Sequence, residues 1–208
     1  MPKSELYWKN LSAKITDPTQ TKNKRPDTSD LERDFILEYF NQEDDIVDIG
    51  SGSGLIINKL YDKVSSIVAI EKFEGFSKYI VESPNVLVIN ADLKDFRIRR
   101  QYDGVLCTGV SQCFSLEEMT PIYANMFAML KQGGYFIMRM HCGLKEDVIV
   151  DGYSDELNTN YFASYRKLDS EIQTLKDTGF KDIQTFDIFP DTLNVWENTR
   201  HFMFVAKK

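Results

Sequence analysis

The sequence predicts an α/β protein: a three-layer, doubly wound sheet of seven strands, mostly parallel with an antiparallel seventh strand. Short apolar runs of the buried-strand type alternate with helix-length intervals through most of the chain, as is typical of a parallel sheet. Only "PDTLNVWENTR" separates the last two strand-like runs, and it has no helical pattern. A parallel crossover usually needs more chain, so these two strands are predicted to pair as an antiparallel hairpin.

Composition predicts a single domain over residues 1–208 that acts on a small molecule. The chain has 208 residues, 42% of them hydrophobic, which is enough for one well-buried core. A net charge of -7, with no basic block beyond "KNKR", argues against a nucleic-acid partner. Three cysteines without CxxC spacing indicate a reducing compartment, and no run is apolar enough for a signal core or a membrane span. We therefore expect a cytoplasmic protein without a membrane partner.

The N-terminal half alternates helices and strands in the predicted order. Residues 1–28 are expected to form a cap segment, with helical spacing in "SELYWKNLSAKI" and a polar loop in "TKNKRPDTS". Ser29 and Glu32 form a predicted capping box for the helix "DLERDFILEYF". Four strands are then predicted at Ile46 to Ile49, Ser66 to Ile70, Val86 to Ile89 and Gly104 to Cys107.

The C-terminal half adds three strands and an insertion. A second capping box, Ser115 and Glu118, opens a helix that stops at "KQGG", where a glycine turn leads to the fifth strand, "YFIMRMHC". Residues 143–167 are too polar and irregular for a core and too long for a connection, which predicts a substrate-facing insertion. A helix ended by Gly179 and the strands "DIQTFDIF" and "HFMFVAKK" complete the fold.

The stretch "DDIVDIGSGSGLIINKL" indicates a nucleotide-binding turn. Gly50, Gly52 and Gly54 remove the Cβ atoms that would block a ligand, and they lead into a helix N-terminus whose amides attract polar or anionic groups. The dinucleotide fingerprint G-x-G-x-x-G would need its third glycine at Leu55, so this spacing misses it by one residue. A turn that serves only backbone geometry remains the alternative.

Two carboxylates follow the next strands. Glu71 closes the second strand, where it can accept both hydroxyls of a ribose, and Asp92, beyond the third strand, can accept a hydrogen bond from an adenine amino group. As isolated residues, Glu71 would most often be solvated and Asp92 would most often cap a turn. Because both fall at carboxyl ends of strands beside the glycine turn, the three features together predict a cofactor site.

Over roughly Asp30 to Lys208, the sequence resembles the S-adenosylmethionine-dependent methyltransferases of the seven-stranded, Rossmann-like class I family. The resemblance lies in "VDIGSGSG", Glu71, "NADL", "YDGVLCTGV" and "LKQGGYFIM", and in the terminal hairpin. It implies S-adenosyl-L-methionine as cofactor and S-adenosyl-L-homocysteine as product. The family pattern places the methionine and ribose portions of the cofactor along Gly50, Ser51, Gly52 and Gly54, with Asp48 beneath this loop. It also implies that Glu71 holds the ribose and that Asp92 and Leu93 hold the adenine. Thr108 and Gly109 would contact the amino-acid end.

Histidine is the first choice for a catalytic base. Methyl transfer to oxygen needs proton removal, and a base near neutral pKa at the mouth of the sheet would suit. His141 ends the predicted fifth strand, so it is our candidate general base; a buried histidine bonded to backbone is the alternative. His201 begins the last strand and is expected to be structural. No ligand spacing among His141, Cys113 and Cys142 supports a metal site.

Candidate substrate residues flank the predicted core. Ser111 and Gln112 follow the fourth strand, where they could face the substrate or cap a helix. Aromatic side chains near the N-terminus and in the insertion could stack on an acceptor or simply pack the cap onto the domain. The predicted substrate-binding residues are Tyr7, Trp8, Ser111, Gln112, Tyr153 and Tyr165.

The leading functional hypothesis is methylation of a small-molecule hydroxyl, on a sugar or sugar nucleotide, with His141 as base. Methylation of a small amine is the first alternative; an NAD-linked oxidoreductase and a non-catalytic cofactor-binding protein are the others. The fourth strand is not followed by the Asn/Asp-Pro-Pro-Tyr/Phe signature of family members that methylate nucleic-acid bases. That departure, with the acidic charge, argues against a DNA or RNA substrate, while the acceptor atom stays open between oxygen and nitrogen.

Overall fold

Seven strands of the computed structural model, which describes residues 3–208, form a single sheet. The strands of the chain are β1 (Asp45–Ile49), β2 (Ser66–Glu71), β3 (Val86–Asn90), β4 (Tyr102–Thr108), β5 (Leu130–Gly143), β6 (Val148–Ser154), β7 (Thr159–Tyr165), β8 (Lys181–Phe186) and β9 (Thr199–Lys207). The sheet order is β3-β2-β1-β4-β5-β9-β8, and the first five of these are parallel. The carboxyl ends of these five strands therefore meet along one edge.

The far end of the sheet is antiparallel, as predicted. Strand β9 runs antiparallel to β5, with His141 opposite His201, and also antiparallel to β8. The predicted terminal hairpin is confirmed, and it inserts its second strand between β5 and β8.

Helices cover both faces of the sheet and complete the three layers. They are α1 (Lys3–Ser12), α2 (Ser29–Ile36), α3 (Ile57–Leu60), α4 (Glu74–Ser77), α5 (Leu116–Met129) and α6 (Leu168–Thr178). One apolar cluster joins α5 and α6 to one face of the sheet, and a second joins α2 and α3 to the other. Because strands β1 and β4 contribute alternate side chains to both clusters, they read as continuous apolar runs. The predicted three-layer doubly wound fold is confirmed.

One of the two predicted capping boxes is wrong. Helix α2 begins at Ser29, so Thr28 is the N-cap, and its hydroxyl donates to the Glu32 carboxylate across 2.7 Å. Ser29 is one residue inside the helix and cannot cap it. The other box is confirmed: Ser115 and Glu118 exchange side-chain and backbone hydrogen bonds at the start of α5.

Two connections differ from the prediction. The insertion at 143–167 is not irregular, because β6 and β7 pair antiparallel over seven residues each and form a hairpin that is separate from the main sheet. Its polar composition reflects the exposure of most of β6. Residues 91–101, a helix-length interval, contain no helix. Residues 1 and 2 of the predicted cap lie outside the described residues.

Within residues 3–208, no helix is both long enough and apolar enough to cross a membrane.

Candidate active site

A cavity of about 190 Å³ crosses the carboxyl ends of the five parallel strands. Eight of the ten predicted cofactor residues line it: Gly50, Ser51, Gly52, Glu71, Asp92, Leu93, Thr108 and Gly109. They lie at the carboxyl ends of β1, β2, β3 and β4 or just beyond them, so the sheet order alone brings them together. The cavity thus lies where open α/β sheets bind ligands.

The glycine turn at the centre of the cavity needs its glycines. Gly50, Gly52 and Gly54 all have positive φ, between 55° and 75°, which other residues rarely adopt. A Cβ on Gly50 would also lie 2.5 Å from a methyl carbon of Val110. Gly54 does not line the cavity, but its positive φ allows the turn conformation in which Gly50 and Gly52 face the cavity.

Glu71 is bound to the glycine turn and keeps capacity for a ligand. One carboxylate oxygen accepts the Gly52 amide across 2.9 Å and the other accepts the Phe73 amide across 2.8 Å. Burial raises the pKa of Glu71, while these amide hydrogen bonds oppose the shift. A carboxylate has about four acceptor positions, so two remain for the hydroxyls of a ribose.

Asp48 lies beneath the turn rather than in the cavity wall. It is 1% exposed, and one of its carboxylate oxygens has no hydrogen-bond partner in the structure. Burial, together with the charges of Glu71 and Glu32, raises the pKa of Asp48 to about 7. A buried carboxylate here can accept a hydrogen bond through a water molecule or from the loop, as the sequence suggested.

The N-terminal helix closes the Asp92 end of the cavity. Lys72 Nζ lies 2.8 Å from the Asp92 carboxylate and 2.5 Å from that of Glu5 on α1. The Lys94 amide also donates to Asp92, across 3.0 Å. Asp92 is therefore held in place at the edge of the cavity, with Leu93, 7% exposed, next to it. This ion pair joins the sheet to the cap segment.

Two cations lie at the opposite end. Arg139 on β5 and Lys22, in a short 3-10 turn over Pro18–Lys22, both line the cavity. Arg139 Nη1 donates to the Glu32 carboxylate across 3.0 Å, and Lys22 Nζ is 3.7 Å from the same oxygen. Burial and the charge of Arg139 lower the pKa of Lys22. Glu32 is thus the shared buried counter-ion of two cavity-lining cations.

His141 does not line the cavity. It is 4% exposed, its Nε2 lies 2.8 Å from the Thr199 hydroxyl, and its ring stacks on His201 at 3.9 Å between centroids. Trp196 stacks on it at 5.6 Å and Tyr165 packs at 4.3 Å. Burial, with the charges of Arg139 and Arg25, lowers the pKa of His141 to about 4. The imidazole is therefore neutral at physiological pH.

The predicted substrate residues divide between two regions. Trp8 lines the cavity, and Tyr7 packs edge-on against it and against Tyr161 of the hairpin, at 5.0 and 5.2 Å between centroids. Tyr165 packs on His141, whereas Tyr153 is 61% exposed on β6. Of these four aromatic side chains, the structure therefore brings Trp8 to the cavity wall, with Tyr7 packed against it.

Ser111 and Gln112 lie in a 3-10 turn just behind the cavity wall. The Gln112 side-chain nitrogen donates to the Gly109 carbonyl across 2.9 Å, and the buried side-chain oxygen of Gln112 has no hydrogen-bond partner. The Ser111 hydroxyl is also buried and unpaired, while its carbonyl accepts a hydrogen bond from Arg166 across 3.2 Å. Gln112 thus supports the segment that follows β4 through its side chain, and Ser111 does so through its backbone carbonyl.

Several lining residues were missed in the sequence. Lys72 directly follows Glu71, and Glu5 and Thr21 lie in the cap segment, where no spacing pattern marks them. Lys22 was visible only as part of "KNKR". Its role emerges from folding, because it is about 117 residues from Arg139 in the chain. No group of three His, Cys, Asp or Glu side chains that could hold a metal ion occurs in the described part of the chain.

Comparison with known proteins agrees with the fold. Residues 46–134 match the family model described as a methyltransferase domain. No curated protein matches the sequence.

Several solved structures share the fold at low identity. An S-adenosylmethionine-dependent methyltransferase from Leishmania major has a TM-score of 0.74 at 14% identity, covering 98% of this chain and 80% of that one. The glycopeptide N-methyltransferase MtfA, in complex with S-adenosylhomocysteine, has a TM-score of 0.70 at 14% identity, with coverage of 88% and 90%. A phosphoethanolamine N-methyltransferase from Haemonchus contortus has a TM-score of 0.66 at 14% identity, covering 86% of this chain and 52% of that one. Residues 46–134 thus match a methyltransferase domain, and the chain as a whole has the fold of S-adenosylmethionine-dependent methyltransferases.

Proposed function

We propose that this methyltransferase binds S-adenosyl-L-methionine along the cavity and methylates a small-molecule amine. The observation that carries the cofactor assignment is the line of polar groups across the strand ends: Asp92 at one end, Glu71 in the middle and the glycine turn beyond it. An adenine amino group, a ribose diol and an amino-acid end would meet these groups in that order.

The residues present fit the cofactor. Glu71 has two acceptor positions free, and Gly50 and Gly52 leave room beside the turn. When bound, S-adenosylmethionine supplies a methyl group already activated by its sulfonium. The chain then has to hold the donor, admit the acceptor in line with the methyl group and keep water out. Trp8, Phe73 and Phe114 give the cavity the apolar walls for that role.

The acceptor is inferred from the absence of a free base in the described wall of the cavity. Glu5 and Asp92 are both paired with Lys72, and Glu71 is bound to two amides. A neutral amine has its own lone pair and releases its proton to solvent after the transfer, so it needs mainly orientation. MtfA, which shares the fold, is named as an N-methyltransferase. These points favour an amine over the sugar hydroxyl that the sequence suggested.

The first experiment tests the cofactor. Isothermal titration calorimetry with S-adenosylhomocysteine and with NAD should give saturable binding of the former alone. Binding of NAD in place of S-adenosylhomocysteine would contradict the proposal and favour an oxidoreductase.

The second experiment tests the acceptor class and the hydroxyl alternative. Labelled S-adenosylmethionine is incubated with pooled small amines, sugars and sugar nucleotides, and turnover is compared for His141→Ala and His201→Ala. His201 is the matched control, because it stacks on His141 and loses the same packing. We expect label in the amine pool and a similar, less than tenfold effect of both substitutions on kcat. Label in a sugar, with a loss of roughly 100- to 10,000-fold for His141→Ala only, would instead establish His141 as general base.

A further inference from the structure

The main sheet has two edge strands, and only one of them is protected against pairing with another strand. Strand β8 carries Lys181 and Asp182, its register with β9 shifts between Lys181 and Gln184, and Asp182 has a left-handed φ of 49°. Charges and irregularities of this kind hinder edge-to-edge association. Strand β3 at the opposite edge has neither: Val86–Asn90 is uncharged and pairs with β2 in a regular register over all 5 residues.

The apolar side chains of β3 are exposed on both faces of the sheet. Leu87 is 57% exposed, and Val88, which points to the other face, is 36% exposed. Leu87 shares its face with Ile89, which packs against the apolar cluster under α5 and α6. The segment 91–101 crosses that face without a helix: its residues Phe96 and Ile98 pack on the same cluster and leave Leu87 uncovered.

Backbone groups of β3 are also available for pairing. The Asn85 carbonyl and the Ala91 amide bind backbone groups of β2, across 2.8 and 3.2 Å, so the odd-numbered residues of this strand face β2. Because the direction alternates along a strand, the backbone groups of Val86, Val88 and Asn90 face outward. The Val86 amide is used by the preceding turn, across 3.0 Å. Within residues 3–208, no strand pairs with this outer side of β3.

A second copy of the chain fits this edge in an antiparallel register with Val88 opposite Val88 of the other copy. Every outward-facing residue then lies opposite another one, because Val86 meets Asn90 on each side of the two-fold axis. The two Val88 residues can exchange two hydrogen bonds, and each Asn90 amide can donate to the Val86 carbonyl of the other copy. The edge is thus complementary to itself.

The side chains agree with the same register. Leu87 of each copy lies opposite Ile89 of the other, in a pair without direct hydrogen bonds, where side chains approach most closely. The exposed Leu87 is thereby covered on the face that no helix covers. Pro84, which has no amide to donate, falls opposite Asp92, two residues beyond the end of β3, so the pairing stops at the same point on both sides.

Charge and size indicate what kind of contact this is. Each chain carries a net charge of -7, so two copies repel one another wherever charged surfaces meet, whereas β3 brings no like charges together. A strand of 5 residues is only about 17 Å long. A contact of that length is smaller than the interfaces that hold permanent dimers, so the association is expected to be reversible.

We propose that β3 is the interface of a two-fold symmetric homodimer, in which the sheets of two copies join into one continuous sheet. The pairing is antiparallel, so the carboxyl ends of the parallel strands point in opposite directions in the two copies. Both cavities therefore stay open, and the inference does not depend on the proposed function.

The test measures self-association of the full chain by sedimentation equilibrium. The unmodified protein should show a monomer–dimer equilibrium with a dissociation constant of roughly 1–100 μM. Leu87→Lys removes the apolar contact with Ile89 and places like charges about 7–8 Å apart across the axis, so it should weaken dimerisation at least about tenfold. Because Leu87 is exposed in the monomer, the midpoint of urea unfolding should not change.

Two controls identify the surface and its partner. Ile149→Lys is the matched variant, because Ile149 is 63% exposed on β6, away from the sheet edge, and the charge change is the same; its dissociation constant should stay within about twofold of the unmodified value. An equimolar mixture of Leu87→Lys and Leu87→Glu should associate more tightly than either variant alone. Opposite charges then face each other across the axis.

Three outcomes would overturn the proposal. The first is a chain that stays monomeric at roughly 1 mM, which would leave the edge to a strand of another protein. The second is a dimer that Leu87→Lys does not weaken, or that Ile149→Lys weakens equally, because the contact then lies elsewhere. The third is a mixture of the two charged variants that associates no better than each alone, because β3 then does not pair with itself.

Discussion

The substitution of Gly109 by alanine separates backbone strain from damage to the site. Gly109 has a φ of 75°, and an added Cβ would lie 2.3 Å from Arg139 Nη2. Gly133 has a φ of 80°, and a Cβ there would meet nothing within 4 Å. The two glycines therefore share the same backbone strain, but only Gly109 lines the cavity and lies against Arg139. Gly133→Ala is the matched control.

The expected magnitudes follow from that difference. A left-handed conformation costs a non-glycine residue about 1–2 kcal/mol, and the loss of unfolded-state freedom returns about 0.4–1 kcal/mol. Both variants should thus lose about 1 kcal/mol of unfolding free energy in urea titrations. Only Gly109→Ala must also displace the guanidinium, so it alone should weaken S-adenosylhomocysteine binding, by tenfold or more, in calorimetry. Unchanged affinity in Gly109→Ala, or equal weakening in Gly133→Ala, would refute this reasoning.

Three further predictions concern the interior. Arg166 and Glu171 form a buried ion pair, with Nε and Oε2 2.6 Å apart. In urea titrations, Arg166→Met should lower the unfolding free energy by about 3–5 kcal/mol, and the double variant Arg166→Met, Glu171→Leu should lower it by clearly less. A loss below about 1 kcal/mol for the single variant would contradict this prediction. Burial holds the pKa of His141 at about 4 and that of His201 at about 2. In the unfolded chain both imidazoles take up a proton near pH 6.5. The unfolding free energy should therefore fall as pH drops from 6.5 toward 4, by about 1.4 kcal/mol per pH unit for each histidine. Imidazole NMR signals that titrate near pH 6.5 in the folded protein would contradict this prediction. Burial raises the pKa of Cys113 to about 12, so this thiol should react with a disulfide reagent at pH 8 far more slowly than in the unfolded chain, and comparable rates would show that it is accessible.

The fold was predictable because its signals are local and repeated. Each buried strand is a short apolar run, and the antiparallel end follows from the brief connection before β9. The error in the first capping box lies where two possible N-cap residues are close in energy. Thr28 and Ser29 are adjacent candidates for one N-cap, and the structure uses the first. The hairpin of β6 and β7 was missed because most of β6 is exposed and only the second half of β7 is buried, so neither shows the apolar pattern of a core strand.

The residues predicted to bind the cofactor come together for a related reason. Gly50 directly follows β1, Glu71 ends β2 and Asp92 lies two residues after β3, so a correct strand assignment also places them at one edge of the sheet. Lys22 and Trp8 have no such anchor. They reach the cavity through the packing of the cap segment, which depends on contacts such as that between Lys72 and Glu5. No spacing within the sequence encodes a contact of that kind.

We expect the acceptor side of the site to depend on the cap segment, which the sequence describes least. Trp8 forms the wall of the cavity, and Tyr7 beside it packs against Tyr161 of the hairpin. Arg25 of the same cap segment is paired with Glu156 of the hairpin across 2.9 Å. The cap segment and the hairpin thus contact each other beside Trp8, a residue of the cavity wall. Two chains that share the glycine turn and its carboxylates can differ in acceptor through these contacts alone, because none of them involves a cofactor residue.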